Sequence, residues 1–211
     1  MSPTWFELMT THYEKLLLAN ISEAYRESAS DLHERLPARK EGSVHHLRAF
    51  GEDCCVTPES VLFSGTPDTG PRGLLLSLYA RHVGPEPIRM APFKAFRDLP
   101  NSMPYQGAFS ANCERRLIPH VPRIRVLSEQ IKAAFEGGDG APSLGGDFSL
   151  LLFPLPKIAL TYVFYLPDEE FPASVTCLFS ANALSFMPLD GLADVGEYTS
   201  RRLAEMASRS D

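Results

Sequence analysis

Residues 148–179, FSLLLFPLPKIALTYVFYLPDEEFPASVTCLF, decide the fold class. The run from Phe148 to Phe153 is nearly continuous apolar sequence. Ile158, Leu160, Tyr162, Phe164 and Leu166 then alternate with Ala159, Thr161, Val163 and Tyr165, and Val175, Cys177 and Phe179 share one face of a third segment. Period-two patterning with β-branched and aromatic enrichment predicts strands. The last two are joined by Pro167–Asp168–Glu169–Glu170–Phe171–Pro172, an acidic tip on an apolar hairpin.

Downstream, Asp190 caps a final helix to about Met206, with Leu192, Val195, Leu203 and Met206 inward. Upstream, residues 137–146 are Gly/Pro-rich and linker-like. Before them, helices are expected over about 122–136 and 105–118, the latter stopped by Pro119. Residues 93–99 read as one short helical turn. A helix over 71–83 is capped by Thr69, carries Pro71 in its first turn and ends at Gly84–Pro85. Residues 44–50 and 53–63 read as strands about a Gly51–Glu52 turn, with Leu47, Ala49, Cys54 and Val56 on one face. Residues 28–43 are a polar connection. A first helix runs to about Glu27 behind a Thr4/Glu7 capping box. Helices cluster early and strands late, around an N-terminal hairpin. The expected class is α+β, with an antiparallel sheet (the N-terminal hairpin plus the C-terminal strands) packed against several helices. Residues 1–211 form a single domain on this reading: a helix-rich half over about 1–136, the loop 137–146, and a strand-rich half with its terminal helix over 147–211. No internal repeat, GxGxxG or GxxxxGK[ST] is present.

The totals narrow the function. The chain has 211 residues, 44% apolar and 22% charged, enough for a core that needs no disulfide or metal. Its net charge is −6 and its basic residues are scattered, which disfavours nucleic acid and anionic membrane surfaces as partners. No run approaches the ~18 apolar residues of a membrane span, and no signal peptide is visible, so a cytoplasmic setting is expected. Cys54, Cys55, Cys113 and Cys177 include no CxxC pair, so free thiols are expected and no metal ligand set is assigned.

Several stretches occur in the order of one known pattern. They are Gly73–Leu74–Leu75–Leu76–Ser77–Leu78–Tyr79, Phe93–Lys94–Ala95–Phe96–Arg97–Asp98–Leu99–Pro100, Tyr105 with Phe109, Asp168–Glu169–Glu170–Phe171–Pro172–Ala173, Leu178–Phe179–Ser180 and Met187–Pro188–Leu189–Asp190–Gly191–Leu192–Ala193. Over about residues 5–206 the chain resembles the bacterial and archaeal domain-of-unknown-function family 3786, common in anaerobes. The resemblance implies a fold-sized unit and no established activity. It also implies a context near corrinoid and iron–sulfur proteins, because some relatives look fused to a cysteine-rich module that this sequence does not contain. Two positions depart from the pattern: a His often stands near Ser77, and an Asp often stands where Ser180 is here.

Candidate site residues follow from charge and placement. Asp168 and Glu170 are two apart on the tip, which suits a hard cation or ligand, or equally a solvated turn that keeps an apolar hairpin from pairing with other edges. Arg97, between Phe96 and Leu99, is expected to be partly buried and therefore paired, with Asp98 locally or with Glu170 at a distance. An Arg97–Glu170 pair would latch the tip to the helical half; alternatively Arg97 would hold a carboxylate ligand. Tyr79, Tyr105 and Tyr162 offer aromatic faces with a polar handle and become functional only if they converge in one cleft. His45–His46 with Cys54–Cys55 is a weak metal motif, since Arg48 would lie beside the ligands. Neither Cys113 with His120 nor Ser64 or Ser180 has the setting of an activated nucleophile.

The leading expectation is a non-catalytic small-ligand-binding or accessory module of anaerobic metabolism. Its cleft would lie between the helical half and the C-terminal sheet, lined or latched by Arg97, Tyr105, Asp168 and Glu170, with Tyr79 near by. The alternatives are an enzyme or metal carrier using the Asp168 and Glu170 carboxylates, and a self-associating subunit, a homodimer through the apolar hairpin. No cofactor and no catalytic residue is named by the residues.

Overall fold

A computed structural model describes residues 5–28 and 30–208, with side chains from Tyr13 onward apart from that of Ser28; the expected Thr4/Glu7 capping box lies outside the described residues. Helix α1 (Trp5–Ser28) buries Leu17, Asn20, Ile21 and Ala24, spaced three and four apart along one stripe. The polar connection that follows contains a short helix α2 (Leu32–Arg35) and a strand β1 (Arg39–Glu41). Their anchors are Leu32 and Leu36, both fully buried. Then come β2 (Val44–Ala49), β3 (Glu52–Val56), β4 (Val61–Phe63) and β5 (Thr66–Pro67), which with β1 make an antiparallel meander in sequence order. The expected strand over 53–63 is broken because the Thr57 hydroxyl accepts the Ser60 N–H at 2.9 Å and closes a turn. Leu47, Ala49, Cys54 and Val56 do share the buried face. The β2–β3 turn is Phe50–Gly51, with both residues at positive φ. The Tyr25 hydroxyl pins α1 to this sheet, 2.6 Å from the Ser43 carbonyl, 2.9 Å from that of Val56 and 2.9 Å from His45 Nδ1.

Helix α3 (Pro71–His82) starts as expected, but its N-cap is Gly70 without a side-chain cap, and Asp68 rather than Thr69 braces the entry. Asp68 Oδ1 accepts the Gly70 N–H at 2.8 Å and Oδ2 takes Arg72 Nε at 2.7 Å. A side chain at position 73 would sit 1.8 Å from the Asp68 carbonyl oxygen, so only glycine lets the chain fold back here. The expected helical turn over 93–99 is half strand: β6 (Lys94–Ala95), then a 3-10 turn, Phe96–Asp98. Helical structure resumes at Met103 and changes register repeatedly, through α4 (Gln106–Phe109), a π-helical turn at Ser110–Arg115, a 3-10 turn at Ile118–His120, α5 (Val121–Val126) and α6 (Ser128–Ala134). Pro119 does not end this run, because it opens a new turn where no N–H is needed. Rings of Phe96, Phe109 and Phe179 pack at centroid distances of 4.2 to 6.1 Å and lock it to the C-terminal sheet.

That sheet comprises β7 (Gly138–Asp139), β8 (Phe148–Leu155), β9 (Ile158–Tyr165) and β10 (Ser174–Phe179) in the order β6-β10-β9-β8-β7, all antiparallel. The α+β class holds. The N-terminal hairpin and the C-terminal strands nevertheless form two five-stranded sheets, because β1, β4 and β5 complete the first without borrowing an edge. The sheets meet where the Phe50 N–H donates to the Pro154 carbonyl at 2.7 Å. In β9 every residue except Tyr165 is buried, so both faces are covered. Helix α7 (Leu189–Ser208) covers one, with Gly196 and Ser200 against Tyr162. The Gly/Pro-rich stretch 137–146 presses on the other: Gly146, at φ +80°, lies so close that a Cβ would meet Val163 at 2.6 Å. That stretch packs as a cover, which is why its glycines are needed.

Candidate functional site

The residues singled out from the sequence do not share a cleft. The Arg97 side chain is 71% exposed and its nearest acid is Asp98, at 4.0 Å. Its stem is not buried, because Phe96 and Leu99 take the inward positions of the turn. No Arg97–Glu170 ion pair exists among the described residues. The tip enters β10 at Ser174, whereas β6, just before Arg97, pairs with Leu178 and Phe179 at the other end, roughly 13 Å away at ~3.3 Å per residue. Glu170 is exposed. Asp168 Oδ1 accepts the N–H groups of Glu170 and Phe171 at 2.8 and 2.7 Å, and those bonds hold its carboxyl below the usual aspartate range. Tyr105, 53% exposed, lines a shallow groove with Pro104, Leu184 and Leu189. Tyr79 is fully buried. Its hydroxyl accepts the Lys157 N–H at 3.1 Å and ties the β8–β9 turn to α3, while burial pushes its phenol pKa up. The hairpin proposed as a dimer face is largely consumed by the core, leaving Tyr165 and Phe171 as its exposed large apolar residues.

The histidine–cysteine motif separates in a similar way. His45 is buried with Nδ1 on Tyr25, and burial holds its pKa below the usual histidine value. His46 faces outward and pairs with Glu41 at 3.3 Å, while Cys54 donates to the Leu47 carbonyl at 3.3 Å. Among the described residues no group of three or more His, Cys, Asp or Glu is placed to hold a metal. Ser77 is a packing hydroxyl between α1 and α3, accepting from Asn20 Nδ2 at 3.2 Å and donating to the Leu74 carbonyl at 2.8 Å. The Ser180 hydroxyl is buried without a partner among the described residues.

A different set of groups converges. On α7, Asp190, Asp194, Glu197 and Arg201 recur at steps of four, three and four along the face opposite Leu192, Val195, Thr199 and Leu203. Beside Arg201, the Tyr198 ring packs edge-on against Phe50 at 4.7 Å, and the Arg201 guanidinium lies 4.7 Å from the Tyr198 centroid. Pro71, Leu74 and Leu75 of α3 and Tyr13 of α1 close a cavity of about 300 Å³ against Asp194, Glu197, Tyr198 and Arg201. An ion-pair network holds this wall: Arg72 bonds Glu52 at 2.9 Å and Asp68 at 2.7 Å and covers the Phe63 ring, and Arg202 reaches Glu52 at 3.5 Å and Glu205 at 2.9 Å.

The electrostatics of the cavity are unbalanced. Glu197 accepts a bond from Asn112 Nδ2 at 3.1 Å, and Arg201 leans to Glu205 at 3.8 Å. Asp194 has no hydrogen bond or ion pair among the described residues. It is exposed at the rim of the cavity, where water reaches its carboxylate. Partial dehydration by the concave wall, and then the like charges of Glu197 and Asp190, lift its carboxyl above the usual aspartate value. A larger, more open cleft of about 740 Å³ lies beside β2 and contains Arg39, His46, Arg48 and Glu136. Its charges satisfy one another: Arg48 pairs with Asp53 at 2.9 Å and Glu136 at 3.5 Å and donates to the Gly51 and Ala134 carbonyls. Uncompensated polarity therefore favours the smaller cavity as a site. The acidic row on α7 was readable from spacing. Its facing wall was not, since Tyr13 and Leu74 come from helices distant in sequence.

Fold and cavity together define an α+β chain of two antiparallel sheets with an acidic, aromatic-walled pocket between three helices. Residues 28–202 match the model of a family described as a domain of unknown function (DUF3786), and the chain belongs to that family. The α3 and α7 walls of the pocket lie within the matched segment, while Tyr13 precedes it. No curated protein and no solved structure matches the chain. Among the described residues no helix is long and apolar enough to cross a membrane.

Proposed function

We propose that this chain is a non-catalytic small-ligand-binding module, a single cytoplasmic domain that serves as an accessory in anaerobic metabolism and binds in the pocket between α1, α3 and α7. The observation that carries the binding site is the cavity itself. At about 300 Å³ it falls at the small end of ligand pockets, and it joins an apolar floor to a few polar groups, one of them a carboxylate without a pair among the described residues. Among the described residues no serine, cysteine, histidine or lysine lines it, which favours binding over covalent chemistry. Nucleic acid is disfavoured by the net charge of −6 and by the engagement of Arg48, Arg72 and Arg202 in ion pairs. The anaerobic setting, near corrinoid or iron–sulfur proteins, rests on the family resemblance alone.

Screening a library of small metabolites against the ¹⁵N-labelled chain by NMR tests this reading. Hits are expected to shift the amides of Leu74, Leu75 and Tyr198, and Leu74→Trp, which fills the cavity, is expected to abolish those shifts. Hits that map elsewhere and survive Leu74→Trp would overturn the assignment.

A further inference from the structure

Resting on the reading of this pocket as the binding site, we infer that its ligand is an organic cation: an ammonium group, primary or quaternary, on a short apolar body. The charge balance supplies the argument. Asp194 and Glu197 face the cavity, while Asp190, one turn before Asp194 on α7, lines a neighbouring groove. The cationic lining group among the described residues, Arg201, is already shared between Glu205 and the Tyr198 ring. An entering anion would meet two carboxylates and, among the described residues, no free cation to receive it. An entering cation would supply the partner that Asp194 lacks among the described residues, in a site where partial dehydration strengthens the pairing.

The walls fit the same chemistry. Arg201 over Tyr198 shows that this ring attracts positive charge, and its occupation leaves Tyr13 and the carboxylates to receive the ligand's ammonium group. Pro71, Leu74 and Leu75 offer only apolar surface, which suits an alkyl or aryl body.

Three probes of nearly equal shape separate charge from shape: choline, its neutral isostere 3,3-dimethylbutan-1-ol, and the anion 3,3-dimethylbutanoate. Each is titrated into the ¹⁵N-labelled chain while the pocket amides are followed. Choline is expected to bind at least about tenfold more tightly than the neutral isostere, and Asp194→Asn is expected to remove most of that advantage without changing the isostere's affinity. Equal affinity for choline and the alcohol, or tighter binding of the anion, would overturn the cation assignment while leaving the pocket as the binding site. If none of the three perturbs a pocket amide while other metabolites do, the cation class falls and the pocket reading stands. If nothing binds there at all, both fall.

Discussion

Two acidic regions of this molecule are built from the same residue types and differ in what surrounds them. At the tip between β9 and β10, Asp168 receives two backbone N–H groups and its carboxyl is held low; its charge is spent on shaping a turn. On α7, Asp194 is exposed, receives no donor among the described residues, lies against a partly dehydrated wall beside Glu197, and its carboxyl is held high. A carboxylate whose lone pairs are already taken by the backbone has less to offer a ligand than one whose lone pairs are left to water at a concave surface. The more conspicuous acidic cluster in the sequence is therefore the structural one.

The contrast between regions can be broken most sharply through packing. Leu75→Ala, on the buried pocket floor, is expected to cost about 2–5 kcal/mol in urea unfolding. Phe171→Ala at the tip, where the residue is 66% exposed, should stay within about 0.5 kcal/mol. Similar losses at both would show that the tip is a packed element after all. Next in size, Arg72→Ala removes the cation shared by Glu52 and Asp68 and should cost about 1–3 kcal/mol by the same measurement. A neutral result would mean the pocket wall is held without that network.

The protonation contrast is smaller but more direct. Carboxyl ¹³C titration should show Asp168 below the usual value of about 3.9 and Asp194 above it. The signs of their effects on stability are opposite. Asp168, lowered on folding, contributes stability that is present above its unfolded value and lost as pH falls through the folded one. Asp194, raised on folding, contributes stability that is full below its unfolded value and lost as pH rises through the folded one. Asp194→Asn should therefore raise the thermal midpoint at neutral pH and Asp168→Ala should lower it; the same sign at both sites would erase the distinction. Least of all, a double-mutant cycle of Arg97→Ala with Glu170→Ala should give a coupling below about 0.5 kcal/mol, as for groups out of contact. A coupling well above that would restore the latch.

Much of the fold was legible where a single element carries its own pattern. The alternation in β9 and β10, the buried face shared by Leu47 and Cys54, and the Pro71 start of α3 are local signals, and the structure keeps them. Signals failed where a partner decided the outcome. Lys94–Ala95 is strand because β10 offers an edge there. Asp68 replaces Thr69 at the start of α3 because Arg72 and Gly73 draw the chain back onto it. Arg97 was expected inward from its apolar neighbours, but those neighbours occupy the interior themselves.

By itself, then, the sequence determined the α+β class, the three long strands β8, β9 and β10, and the family, because each rests on patterns within single segments. Only the tertiary structure decided that the strands form two sheets, that the Gly/Pro-rich stretch is a cover, and that Asp194 rather than Asp168 is partly dehydrated and without a protein donor among the described residues. The physical reason is common to all three. Edge pairing, close approach and dehydration are properties of what lies opposite a residue, and for Asp194 the opposite wall comes from α1 and α3, more than a hundred residues earlier in the chain.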